Sequence, residues 1–437
     1  MNRKIIVAVL CLVFLGSSLI GPGQSAVSPD SDATVTSCIQ HERQDAYRVP
    51  DDTDPIVTIH RTSNDSVIRY VFNGTGGDGT FGLTLPEGTR VTNTSGFSVE
   101  GDSAEREYNS QNPWIEIVLG SPQKGVEYST TEQTVVVPLP QSDDVDLFFK
   151  PDTVGYVGAH FALLGEYNVG TAHTGCQRIH VVVPSNTNLK RADHYAQAIA
   201  DAGSRLDIGH RYRLVTAFVA PVDTGNRNGF NPRRFDEKRE PSAEFYISPQ
   251  SQLTNPKNTW IHEYIHTRQA TSHPEWVVEG SATYFAAQLS VGQGWISPRQ
   301  YDRFFAKRAI PNGSPQPLQE GMAPYIHGAF FFSQLDEDLR DSDVSAEDIY
   351  RQLNQQAMSG RGSGNFGASE IEAVVESKIH ESVNYSNPMS DPVPIVYLGW
   401  PERSWSPLRA CVPTISEKIA IIFGGYVVWI LKSTTQD

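Results

Sequence analysis

Trp260-Ile261-His262-Glu263-Tyr264-Ile265-His266-Thr267-Arg268-Gln269 is the stretch on which the reading of this chain turns. The four-residue spacing of His262 and His266 predicts two imidazoles on one helix face, one turn apart. Two neutral imidazoles held that way can both ligate a Zn²⁺ ion. Glu263 stands beside the first of them. From there it can act as general base toward a water at the metal without binding the metal itself. A structural zinc site takes four protein ligands, whereas a catalytic one takes three and keeps a position open. A third ligand is therefore expected from a neighbouring helix.

Pro274-Glu275-Trp276-Val277-Val278-Glu279-Gly280-Ser281-Ala282-Thr283-Tyr284-Phe285 supplies a candidate. Glu279 is the expected carboxylate ligand and Glu275, one turn earlier, its alternative. Gly280, Ser281 and Ala282 are small, which lets this helix pack closely, and the expected neighbour is the His262–His266 helix. The plain alternatives are two unrelated surface histidines and a solvated helix carboxylate.

Together, H-E-x-x-H at 262–266 and W-x-x-E-G-x-A-x-Y at 276–284 resemble the gluzincin metallopeptidases, most of all the peptidase MA-like families. The pattern is also similar to the aminopeptidase N-type and glycyl-aminopeptidase families. The resemblance implies a zincin (thermolysin-like) catalytic domain and Zn²⁺ as cofactor. It also implies His262, His266 and Glu279 as ligands and Glu263 as base. It covers mainly residues 257–290, and 176–380 by element order. Twelve residues separate His266 from Glu279, fewer than in the aminopeptidase N-type or thermolysin families, which implies a short connecting loop. The Gly-Ala-Met-Glu-Asn segment of the aminopeptidases has no equivalent. Ala243 to Ser248 is the positional candidate for a substrate-pairing edge strand.

Met322-Ala323-Pro324-Tyr325-Ile326-His327-Gly328 is similar to the P-Y-x-K-G segment of aminopeptidase N-type enzymes. That likeness implies Tyr325 as the donor to a tetrahedral oxyanion, with His327 where the pattern has Lys. Packing under the next helix is the alternative for Tyr325. Arg268, one turn beyond Tyr264, is a candidate partner for a carboxylate behind the ligands, and His273 is expected to be a solvated loop histidine.

The chain has 437 residues, with Lys+Arg 35, Asp+Glu 50 and a formal charge of −15. Its apolar fraction of 39% is ample for a core and excludes disorder throughout. The acidic balance argues against a nucleic-acid partner and against docking on an anionic membrane. Arg outnumbers Lys, and the acidic excess is spread along the chain. That pattern resembles salt-adapted surfaces, the plainer reading being an ordinary acidic secreted protein.

The N-terminus reads as a secretory signal peptide over 1–26: a basic start, an apolar run from Ile5 to Ile20, then Gly21-Pro22-Gly23 and small residues. An uncleaved anchor is its alternative. Cys38, Cys176 and Cys411 remain after removal, with their pairing open. Sequons at Asn64, Asn73, Asn93, Asn312 and Asn384 fit an extracellular chain.

The expected fold class is α+β. A polar leader (27–55) precedes a β-rich, sandwich-like domain (56–170), with strands expected at 57–60, 67–72, 81–85, 114–119, 134–139 and 145–149. Residues 134–139 do not alternate and read as a buried strand. A catalytic domain (171–385) follows, with strands at 178–183, 212–220 and 243–248 and a helix over 192–208. Its mostly helical second half is expected at 257–270, 276–291, 298–309, 326–340, 345–357 and 368–378. A Pro-rich tail (386–437) ends in the apolar stretch Ile419–Leu431. As a helix that stretch would cover only about 20 Å, against a hydrocarbon core of about 30 Å. It reads as a buried strand pair or, alternatively, as a short C-terminal membrane anchor.

The expected function is a secreted or cell-surface zinc metallopeptidase acting on a peptide or protein. The alternatives are an inactive zincin-fold binding protein and a membrane-anchored processing protease.

Overall fold

In the computed structural model, a strand-rich N-terminal part stacks on a second five-stranded sheet that carries the helices. Described residues are 54–62, 67–73, 80–86, 89–108, 110–119, 129–131, 133–189, 191–209, 211–221, 229–230, 242–270, 272–306, 323–358, 368–379, 418–423 and 426–431. The signal-like segment, leader residues 27–53, Cys38 and Cys411, the sequons at Asn64, Asn312 and Asn384, and the tail over 386–417 lie outside them. Cys176 is disulfide-bonded.

The first half holds β1 (Ile56–Arg61), β2 (Val67–Asn73), β3 (Gly82–Thr84), β4 (Arg90–Ser95), β5 (Phe97–Glu100), β6 (Ser103–Arg106) and β7 (Trp114–Val118). β8 (Ser129–Thr130), β9 (Val135–Pro138), β10 (Phe148–Pro151), β11 (Gly155–Val157) and β12 (Phe161–Leu164) complete it. They form a five-stranded sheet β10-β1-β2-β7-β4, a four-stranded sheet β11-β12-β9-β8 and a three-stranded sheet β3-β6-β5. The rings of Phe72, Phe81 and Phe97 meet between the first and third of these, with centroids 5.0–6.1 Å apart. The strand expected over 145–149 forms later, as β10, which pairs in parallel with β1.

A second five-stranded sheet has the order β13-β14-β15-β17-β16. Its strands are β13 (Tyr167–Thr174), β14 (Gln177–Pro184), β15 (Leu214–Val219), β16 (Gly229–Phe230) and β17 (Ser242–Ile247). Helix α1 (Ala192–Arg205) connects β14 to its parallel neighbour β15, as parallel pairing requires. The other helices are α2 (Thr259–His266), α3 (Glu275–Gly292), α4 (Pro298–Ala306), α5 (Ala323–Asp338), α6 (Ala346–Met358) and α7 (Ala368–Ile379). β17 lies between β15 and β16, so the edge strand here is β16. That corrects the expectation that Ala243–Ser248 forms the edge.

Side-chain alternation explains the stacking. On β14, β15 and β17, Val181, Val183, Ala217, Val219, Phe245 and Ile247 face the core shared with the helices. Their neighbours Val182, Phe218 and Tyr246 join Val136, Phe161 and Leu163 of β9 and β12 in a second apolar layer. Val135, Val137, Ala162 and Leu164 point the other way, into the core of the strand-rich half. β9 and β12 are thus covered on both faces. An uninterrupted Val135-Val136-Val137 run is what that environment selects.

Glu244 of β17 lies in this junction, 1% exposed. Its carboxylate accepts from the backbone N–H groups of Ala159 (2.6 Å), His160 (2.9 Å) and Phe161 (3.1 Å). Burial raises its pKa, and the nearby His160 and the three N–H donors oppose that rise. Glu244→Leu strands three donors, one buried and two half-buried, and a cost of about 3 kcal/mol is expected. Urea unfolding checks it; an unchanged midpoint would show that the N–H groups find other partners.

The apolar stretch near the C-terminus is a hairpin, β18 (Lys418–Phe423) paired antiparallel with β19 (Tyr426–Leu431). Among the described residues no helix is long and apolar enough to cross a membrane.

Candidate metal centre

Every residue of α2 from Trp260 to His266 is buried. The i, i+4 pairs Trp260/Tyr264 and Ile261/Ile265 belong to the core shared with the sheet. That leaves the His262/His266 pair its own face. The helix starts at Thr259 because Asn258 caps it, its side-chain oxygen accepting from Ile261 N–H. Asn258 also donates to Ser290 Oγ of α3 (2.7 Å). Trp260 Nε1 donates to Ser251 O (3.0 Å), and Tyr264 Oη donates to Gln177 Oε1 of β14 (2.7 Å). These ties fix the register of α2 on the sheet.

α3 is apolar nearly all round and buried along most of its length, as expected of a central helix. Glu279 is 3% exposed, whereas Glu275 is exposed in the first turn. His262 Nε2 lies 3.1 Å and His266 Nε2 3.2 Å from Glu279 Oε2, and the two Nε2 atoms are 3.0 Å apart. Among the described residues this is the one group of three or more such side chains close enough to hold a metal ion. Three atoms bound at about 2.0–2.1 Å in a tetrahedron stand about 3.3 Å apart. The observed triangle is therefore the right size for zinc, and its two nitrogens and one carboxylate oxygen are a zinc donor set. Glu263 is 6% exposed, next to His262 on the same helix.

Gly280 does not face α2, as its neighbours in sequence suggested. It faces α5. A Cβ on Gly280 would meet the Gly328 backbone at 2.4 Å, and one on Gly328 would meet Trp276 O at 2.2 Å. Two glycines thus let α3 and α5 touch backbone to backbone. α5 begins at Ala323 rather than at 326, which puts Tyr325 in its first turn. The Tyr325 ring stacks on His262, with centroids 5.7 Å apart and planes at 22°. His327, on the same helix, is half-buried.

The loop between α2 and α3 is held by groups that motif spacing does not reveal. His266 Nδ1 lies 2.6 Å from Gln269 Oε1. Gln269 Nε2 donates to Val278 O (3.0 Å) and Ser281 Oγ (2.8 Å). His262 Nδ1 has a longer contact, 3.5 Å to Thr283 Oγ1. Arg268 is fully buried and donates to the carbonyls of Leu206 (2.8 Å) and Gly209 (3.2 Å), beyond the end of α1. His273 is buried rather than solvated, within 3.1 Å of Asn354 Oδ1, and burial pushes its pKa down to about 4. Gln269 and Asn354 escape sequence reading because an amide carries no charge and fits no ligand pattern.

No family model matches the chain. No curated protein matches it. Among solved structures it is similar to an aminopeptidase N family protein from Idiomarina loihiensis, at 12% identity and a TM-score of 0.48 over 71% of each chain. It is also similar to an M1 zinc metallopeptidase from Deinococcus radiodurans, at 11% identity and a TM-score of 0.45 over 75% of this chain and 90% of that one. A variant of the latter was solved with a Tyr-Ser-Ala substrate.

Proposed function

We propose that this chain is a zinc-dependent metallopeptidase, with His262, His266 and Glu279 holding Zn²⁺. The observation that carries the reading is the meeting of these three side chains within 3.2 Å of one another, on two helices. Zinc held by these three residues would supply Lewis acidity toward a carbonyl oxygen and would lower the pKa of a water toward about 7. Glu263 takes the proton of the attacking water and passes it to the departing amine. Tyr325, against His262, donates its O–H to the oxygen on which negative charge develops. Secretion belongs to the same proposal and is supported by the signal-like N-terminus. Elemental mass spectrometry on the purified chain tests the metal. About one zinc per chain, lost in His266→Ala, is expected for a three-ligand site. A chain that takes up no zinc would refute the reading.

Tyr325→Phe keeps the ring stack and deletes the donor. The expected result is a fall in kcat of about 10²-fold with zinc content unchanged. Full activity in this variant would reduce Tyr325 to a packing residue.

A further inference from the structure

Gln269 sits between the second histidine and the third ligand, the Glu279 carboxylate, in contact with both neighbourhoods. Its amide orientation is decided by its surroundings. Val278 O can only accept, so the NH₂ group faces it, and also Ser281 Oγ. Oε1 is then the atom 2.6 Å from His266 Nδ1, and it can only accept. The ring proton of His266 must therefore sit on Nδ1. In the neutral ring this leaves a lone pair on Nε2, the atom 3.2 Å from Glu279 Oε2 and 3.0 Å from His262 Nε2. Val278, the other end of the clamp, is the residue before Glu279. One side chain thus sets the tautomer of one ligand and holds the backbone beside another.

We propose that Gln269 is the positioning residue for the metal centre: it locks His266 as the Nδ1–H tautomer with Nε2 turned toward the ligand cluster. The inference rests on the zinc reading above and extends it to a residue outside the ligand set. Outer partners of ligand histidines fix tautomer and ring orientation, and their loss costs roughly 10–100-fold in metal affinity.

The test uses the full chain stripped of metal, titrated with zinc against a chromophoric chelator, with apo thermal unfolding measured in parallel. Gln269→Met, similar in length, removes both halves of the clamp. Zinc binding about 10–100-fold weaker than wild type is expected. Gln269→Glu keeps an acceptor for Nδ1–H but turns a carboxylate oxygen toward Val278 O. It is expected to bind zinc within about threefold of wild type while unfolding at a lower temperature in the apo state. That split separates positioning from mere support. Gln269→Met binding zinc as wild type does, or Gln269→Glu losing zinc as heavily as Gln269→Met, would overturn the proposal. Long-range ¹⁵N–¹H spectra of the folded wild type read the tautomer directly, even where Gln269→Met does not fold. A neutral His266 ring that carries its proton on Nε2 instead of Nδ1 in the apo chain overturns it as well. A wild type that binds no zinc fails the metallopeptidase reading. A wild type that binds zinc while Gln269→Met is unaffected fails this inference alone.

Discussion

Glu263→Gln is expected to lower kcat/KM for peptide hydrolysis by about 10²- to 10⁴-fold, the range a positioned general base supplies. Zinc should stay bound at about one per chain, because the three ligands are untouched. Glu263 is buried on a helix whose other side chains lock it to the sheet, and Gln has nearly the same shape. The change therefore deletes a proton acceptor and little else. Peptide cleavage assayed alongside metal analysis separates the outcomes. Lost activity with zinc retained assigns the base. Retained activity removes Glu263 from the mechanism. Lost zinc would mean that the substitution disturbs the fold around the ligands.

Asn354→Leu is the second substitution with a large expected effect, and this time on stability. Asn354 is fully buried on α6. It accepts from Ala270 N–H (3.1 Å), lies within 3.1 Å of His273 Nε2, and donates to Ile208 O (2.6 Å) and Arg268 O (3.0 Å). All of its hydrogen-bonding capacity is used on the loop after α2 and the chain after α1. Leucine of similar volume strands several of those buried groups, and a loss of about 4 kcal/mol is expected. Out of a typical 5–15 kcal/mol, that brings the fold close to its limit. Urea unfolding of the apo chain measures it, and zinc should restore part of the loss by binding only the folded state. An unfolding midpoint equal to wild type would show that the loop does not depend on Asn354.

The same cluster gives the fold an acid limit. His273, held down at about 4 by burial, stays neutral in the folded chain where the unfolded chain, with a pKa near 6.5, takes up a proton. Its contribution is therefore intact above pH 6.5 and drains away as pH falls from there through about 4.

Much of this protein could be read locally, because local geometry decides it. Four residues along a helix return to the same face whatever surrounds them, so His262 and His266 face together by backbone geometry alone. Alternating runs such as Thr80–Pro86 and the apolar spacing of 192–208 mark their elements for the same reason. β4 and β6 were missed because Arg90–Ser95 and Ser103–Arg106 are largely polar. They pair through backbone hydrogen bonds that carry no signature in side-chain type.

Other features depend on groups far apart in the chain, and only the tertiary structure decided them. The α+β order was visible, but not that β9 and β12 are covered on both faces, which follows from how two sheets stack. The small size of Gly280 was visible, but its partner, Gly328, is on α5. That contact brings Tyr325 to His262. Gln269 and Asn354 looked like ordinary polar residues. Their roles exist because Val278 O, Ser281 Oγ, Ile208 O and Arg268 O stand where packing puts them. The sequence by itself determined the ligand pair and the chemistry it offers, since backbone periodicity is enough for that. That the third ligand, the Glu279 carboxylate, and the stacked Tyr325 meet this pair, and that amides aim it, was decided by packing, since no local rule joins residues on separate helices.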